Sequence, residues 1–302
     1  MPNTLFRDLA LLVLLATMWS SSFTAIKVGV ETFPPATLAM IRVSIGALVL
    51  FLILKAKGLK LPRNVKIWVL FLWIGLFGNA IPFVLINWGE QKIDSGLAAI
   101  IIASVPLATL ILGRLFSDEI LNTRRLLGVL VGFSGVVVLI GPEHFGALDH
   151  DILRPLAVFV AAVCYATAAI LFRKLPGLNP LEHGAGVLIA SACILVPASI
   201  IMEYPWTIEF TWQSVAIASY LGLVPTAMAT LVLIVVIASR GATFLALNNY
   251  LIPFLGVMWG VLFLGEVVSK EATVALLLIV CGIAIAGAGP STLKDIVDDV
   301  QT

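Results

Sequence analysis

Long apolar runs, each about one bilayer thick, alternate with short polar breaks along almost the whole chain. Ten such runs are visible, over approximately 9–30, 35–55, 66–89, 95–116, 124–141, 152–174, 181–202, 212–238, 242–264 and 272–289. A helix needs ~20 mostly apolar residues to cross a hydrocarbon core of ~30 Å. The pattern therefore predicts an all-α integral membrane protein with ten transmembrane helices. The first run is too long for a signal-peptide core and has no Ala-x-Ala cleavage site, so it is expected to remain as a span. The breaks leave no room for a soluble catalytic domain. The longest, GPEHFGALDHD at 141–151, is bounded by Gly, Pro and charges, as turn chemistry requires.

Composition agrees with the pattern. Hydrophobic residues make up 61% of the 302 positions and charged residues 12%, with a mean hydropathy of +1.11; a soluble domain carries roughly 25% charge. No basic, aromatic-rich tract suggests a nucleic-acid partner. Cys164, Cys193 and Cys281 all fall inside apolar runs, which excludes a disulfide framework or a Cys-x-x-Cys metal site. No cofactor or metal is expected. The expected partners are a small-molecule substrate and the lipid bilayer, with no obligatory protein partner.

Charge sets the orientation. Thirteen Lys and Arg fall on the side of the N-terminus, among them Arg7, Lys55, Lys57, Lys60, Arg63 and Arg240, and only Lys92, Arg154 and Lys270 fall opposite. Positive charge is retained in the cytoplasm, so both termini are expected there, in a multi-pass protein of the inner (plasma) membrane.

The chain also resembles itself across its midpoint. Pro106 and Glu119 recur 147 residues on as Pro253 and Glu266, and Gly135 as Gly282. In the earlier spans the shift is 146, from Trp19 to Tyr165, Lys27 to Arg173 and Pro34 to Pro180, while Pro82 and Pro225 fit 143. Pro and Glu at fixed spacing recur by chance less often than Leu or Val, so a duplication is indicated. The halves are placed at residues 1–144 and 145–302. Five spans is an odd number, so the second half starts on the opposite side of the membrane, giving two inverted five-helix repeats. Inverted repeats with a site between them are a recurring build of secondary transporters.

The runs WSSSFTAIKVG and PPATLAMIR, the segment from Pro106 to Glu119 and LNNYLIPFLGVMWGVLFLGE resemble the EamA-type family of the drug/metabolite transporter superfamily, over essentially the whole chain. The resemblance implies two inverted five-helix halves and the export or exchange of small metabolites, often amino acids or related compounds.

Polar residues in apolar text mark the candidate site. Thr17, Ser20, Thr24 and Lys27 share a stripe of the first span beside Trp19, Asn79 and Asn87 repeat along one face of the third before Trp88, and Asn249 shares a face of the ninth with Pro253. Intramembrane cations are costly and mark function by default, which singles out Lys27 and Arg42. Trp19, Ser20, Thr24, Lys27, Arg42, Asn79, Asn87, Trp88, Tyr165 and Asn249 are thus expected to bind substrate, the cations greeting an anion. For gating, Lys27 is expected to pair with Glu266 at the outer mouth and Arg173 with Glu119 at the inner one.

The expected function is a secondary transporter moving an amino-acid-like or organic-acid-like metabolite by alternating access, with a channel or facilitator as the alternative. An enzyme is not expected. His144 and Asp149 share a short loop, while Ser20 to Ser22 lie in mid-membrane, so no nucleophile meets a base.

Overall fold

The computed structural model describes residues 2–116, 123–140 and 152–287, which are helical with no strand among them. The helices are α1 (Pro2–Gly29), α2 (Pro35–Ala56), α3 (Val65–Gly75), α4 (Ile81–Glu90), α5 (Ser95–Ile102), α6 (Val105–Phe116), α7 (Thr123–Ile140), α8 (Leu153–Phe172), α9 (Pro180–Glu203), α10 (Trp212–Gly222), α11 (Ala229–Leu245), α12 (Asn248–Leu264) and α13 (Lys270–Gly287). Their ends follow from local chemistry. Asn64 caps α3, Asn179 caps α9 ahead of Pro180, and Thr211 forms a reciprocal capping box with Ser214 at α10. Gly58 and Gly265, with φ of 71° and 67°, let the chain leave α2 and α12 in the left-handed region.

Among the described residues, seven helical stretches are long and apolar enough to cross a membrane: Phe6–Gly29, Pro35–Ala56, Val65–Glu90, Ser95–Phe116, Leu153–Phe172, Pro180–Glu203 and Trp212–Gly241. Asn248–Leu264 is apolar but shorter. Its start lies six residues later than the run at 242–264 suggests, because Gly241 (φ 76°, ψ 179°) breaks the helix before it. Large apolar side chains such as Leu52, Leu262, Phe263 and Leu277 point outward, and the buried contacts use many alanines and glycines. That distribution suits lipid on the outside, where close packing replaces a hydrophobic gradient as the source of cohesion.

The halves interlock. α2 packs on α9, α7 on α13, α1 on α12 and α4 on α8. Contacts between corresponding helices run in opposite directions. Thr37 hydrogen-bonds Ser199 at one end of the α2–α9 contact, and Leu50 lies against Gly184 at the other. Between α7 and α13, Gly128 abuts Gly282 and Gly135 abuts Ala275, two contacts exchanged by the 147-residue shift. Corresponding helices are therefore antiparallel about a pseudo-twofold axis. A Cβ on Gly282 would sit 2.5 Å from the Gly132 nitrogen, so these helices meet backbone to backbone. The Gly-x-x-x-Gly pair at 128 and 132 thus serves packing within the chain.

The third span of each half carries a feature absent from the apolar pattern. α3 joins α4 through a π-helical turn, Leu76–Ala80, and α10 joins α11 through another, Leu223–Met228, starting 147 residues later. Such wide turns inside a helix concentrate at functional sites.

Candidate functional site

Both π turns border a cavity of about 380 Å³ between the halves. Its wall is assembled in corresponding pairs, 146 or 147 residues apart: Trp19 with Tyr165, Arg42 with Leu188, Asn79 with Thr226, Ile102 with Asn249, and Val105 with Ile252. The cavity therefore sits on the pseudo-twofold axis, and the asymmetry of its lining is chemical. The position that holds a guanidinium in one half holds leucine in the other.

Prolines shape this wall. Pro225 has no N–H to give the Leu221 carbonyl, and the Thr226 hydroxyl donates to that carbonyl instead, at 2.8 Å. The hydroxyl oxygen then accepts from Arg42 Nε at 2.9 Å. Pro82, Pro106 and Pro253 likewise remove the usual donors to the carbonyls of Gly78, Ile102 and Asn249, and all three of those residues line the cavity.

Among the described residues that line the cavity, Arg42 alone is charged. It is 6% exposed, its guanidinium lies 3.9 Å from the centre of the Phe83 ring, and it forms no ion pair among the described residues. No hydrogen bond to a described residue uses its terminal amino groups. A buried cation held by one neutral hydroxyl and an aromatic face retains most of its capacity to bind an anion.

Of the ten residues expected to bind substrate, Trp19, Arg42, Asn79, Tyr165 and Asn249 meet at this cavity, where Asn79 also donates to Ser191 Oγ at 3.0 Å. The other five lie outside its lining. Ser20 is buried between the Thr17 carbonyl and the Trp259 indole N–H, and Thr24 faces a separate groove beside Tyr220 and Trp259. Asn87 donates to the Pro35 carbonyl, while the guanidinium of Arg154 covers Trp88. Lys27 donates to the backbone carbonyls of Glu90 at 2.9 Å and Ile93 at 2.7 Å. A polar stripe on a helix says that something polar faces it, and here that is often another helix. Phe83, on the face of Asn79 and Asn87, lines the cavity too, and Ser22, Thr226 and Thr230 line it without having been expected to bind substrate; the 147-residue shift from Asn79 points to Thr226.

The gating residues also depart from expectation. Lys27 and Glu266 do not pair with each other; they grip the two sides of one turn. Glu266 accepts from the backbone N–H groups of Ser95 at 2.7 Å and Gly96 at 2.9 Å, at the positive end of α5, while Lys27 holds the carbonyls that close α4. Arg154 adds bonds to the Trp88 carbonyl and to Gln91 Oε1. The α4–α5 turn is thus clamped from both halves. Arg173 stands exposed at the end of α8, and its expected partner Glu119 lies outside the described residues. At the end where α1 begins, Asp8, 1% exposed, accepts from Arg240 Nε at 2.8 Å and Ser239 Oγ at 2.9 Å.

Comparisons with known proteins agree with this architecture. The model of the EamA-like transporter family matches twice, over residues 8–141 and 154–288, which sets out the two repeats directly. The Bacillus subtilis protein named uncharacterized transporter YoaV is 27% identical over 274 residues, covering 88% of this chain and 91% of its own. The Escherichia coli K12 protein named uncharacterized inner membrane transporter YedA is 26% identical over 275 residues, 90% of this chain and 88% of its own. A probable terminal-alkyne amino-acid exporter of Streptantibioticus cattleyicolor is 27% identical over 276 residues, 90% of each chain. One crystal structure superposes with a TM-score of 0.65 at 21% identity, covering 93% of this chain and 97% of the other, a likeness of fold. With both halves matched by its model, this multi-pass membrane protein belongs to the EamA-like transporter family.

Proposed function

We propose that the protein is a secondary transporter that exports or exchanges a small amino-acid-like or organic-acid-like metabolite across the inner membrane by alternating access. In this reading the chain crosses ten times as two inverted five-span repeats, with both termini cytoplasmic, so the α4–α5 turn lies at the outer mouth and Asp8 with Arg240 at the inner one. The observation that carries the substrate class is Arg42, a buried guanidinium whose amino groups no described residue claims, in the wall of a cavity shared by both halves. A substrate carboxylate takes those groups as a charge-assisted pair. Trp19, Tyr165 and Phe83 supply apolar contact. The carbonyls released by Pro82, Pro106 and Pro253 offer acceptors for an ammonium, which favours a zwitterionic amino acid over a plain acid.

Counterflow in proteoliposomes against a panel of amino acids, organic acids and nucleosides tests this. Exchange of carboxylate substrates is expected. Arg42→Ala is expected to weaken them by roughly 10- to 100-fold, the loss of one charge-assisted interaction of ~1.5–3 kcal/mol. Exchange confined to nucleosides, or an Arg42→Ala protein that folds and exchanges carboxylates normally, would overturn the assignment.

A further inference from the structure

The side chain of Glu90 has no role in the cavity or in the clamp. It ends α4, is 0% exposed, and neither of its carboxyl oxygens has a hydrogen-bond partner among the described residues. An ionised carboxylate stripped of water and of partners costs several kcal/mol, so such groups are rarely left unused. Its own main-chain carbonyl is one of the two that Lys27 holds.

We propose that Glu90 is a proton-binding site that controls the clamp on the α4–α5 turn. With a proton on Glu90 the carboxyl is neutral, and Lys27 rests on the Glu90 and Ile93 carbonyls, which is the arrangement seen here. When the Glu90 O–H bond breaks, the proton leaves to water at the outer mouth, and the electron pair stays on the carboxylate. Lys27 keeps its own protons throughout. A carboxylate is a stronger acceptor for an ammonium than a neutral carbonyl. Lys27 is then drawn from the turn to the side chain of Glu90, and the turn is released. Protonation from the outer water reverses each step and closes that mouth with one proton inside.

The surrounding charges allow two states. Charges of both signs face it: Lys27 from α1, Arg42 from α2 and Glu266 from the end of α12. From α8, Arg154 reaches the same turn and Tyr165 faces Arg42; Lys92 and Asp94 on the turn itself are exposed. No single counter-ion locks Glu90 in one form.

The inference uses the two-mouth reading but no substrate, so it stands or falls apart from the carboxylate assay. In a cysteine-free background, a cysteine replacing Ser95, which is buried where the turn enters α5, is labelled in proteoliposomes with a membrane-impermeant maleimide. Labelling is normalised to a cysteine at exposed Lys270 to remove the intrinsic pH dependence of thiols. The normalised labelling is expected to rise roughly tenfold from about pH 5.5 to about pH 8.5, a shift within reach of a modest two-state bias. Glu90→Gln is expected to stay low across the range, and Lys27→Met to stay high. A flat profile in the parent, a Glu90→Gln profile that follows the parent, or an unchanged pH response in Lys27→Met would each overturn the proposal. Should Glu90→Gln fail to fold, infrared pH-difference spectra decide instead. A protonated-carboxyl band that moves in Glu90→Asp supports the site, and the absence of such a band in the parent refutes it.

Discussion

The two ends of the bundle hold corresponding turns by different means. Beyond α4 the grip falls on the backbone, with Lys27 on two carbonyls and Glu266 on two amide N–H groups. Beyond Ser239 and Arg240 it falls on side chains, through Asp8. Asp8 and Arg154 occupy corresponding positions, 146 residues apart, and carry opposite charges, yet each binds the end of the third span of the other half. Duplication has kept the site of the grip while its polarity reversed. A grip on backbone is insensitive to which residues form the turn; a grip on side chains depends on both partners.

That difference can be broken from either side. The largest effect is expected for Glu266→Ala, which removes two charge-assisted bonds and should raise labelling of a cysteine at position 95 roughly tenfold or more, with no change at the opposite end. Gly260→Ala should act in the same direction, because its Cβ would fall 2.1 Å from Glu266 Oε2 and displace that carboxylate. Asp8→Asn comes next. It weakens the bond to Arg240, and a cysteine placed beside Ser239 should become several-fold more reactive, as it should in Arg240→Ala, at the ~1 kcal/mol scale of a partly exposed pair. The smallest effect is expected for substitutions in the clamped turn. Gln91→Ala removes one side-chain acceptor of Arg154 and leaves the backbone bonds intact, so the labelling at position 95 should change by less than about twofold. A large response there would mean that side chains carry the grip at both ends.

Much of the fold was legible because lipid imposes a coarse rule: every backbone polar group is satisfied within a helix, so apolar length alone locates most of the spans. The 147-residue shift was legible because Pro and Glu are rare in such text. The π turns were not, since a proline such as Pro82 is compatible with a kink, a widened turn or a helix start, and only packing selects among them. The break at Gly241 was hidden for the same reason. At the site, aromatic and cationic residues identified themselves, as Trp19, Arg42 and Tyr165 did. Thr226 was lost among ordinary membrane threonines until its proline and its repeat position gave it a task. Lys27 was expected to meet the Glu266 carboxylate and here donates to the Glu90 and Ile93 carbonyls, because a sequence shows charged side chains and conceals the carbonyls of a neighbouring turn.

The seam between α7 and α13 carries a consequence for the ancestry of the fold. Its contacts, Gly128 with Gly282 and Gly135 with Ala275, are exchanged by the repeat, and none of these residues lines the cavity. Such a surface fits itself when one copy is turned upside down. A single repeat unit with small residues at these positions, inserted in both orientations, would already form this seam as a homodimer, and fusing two copies would only fix which orientation each half takes.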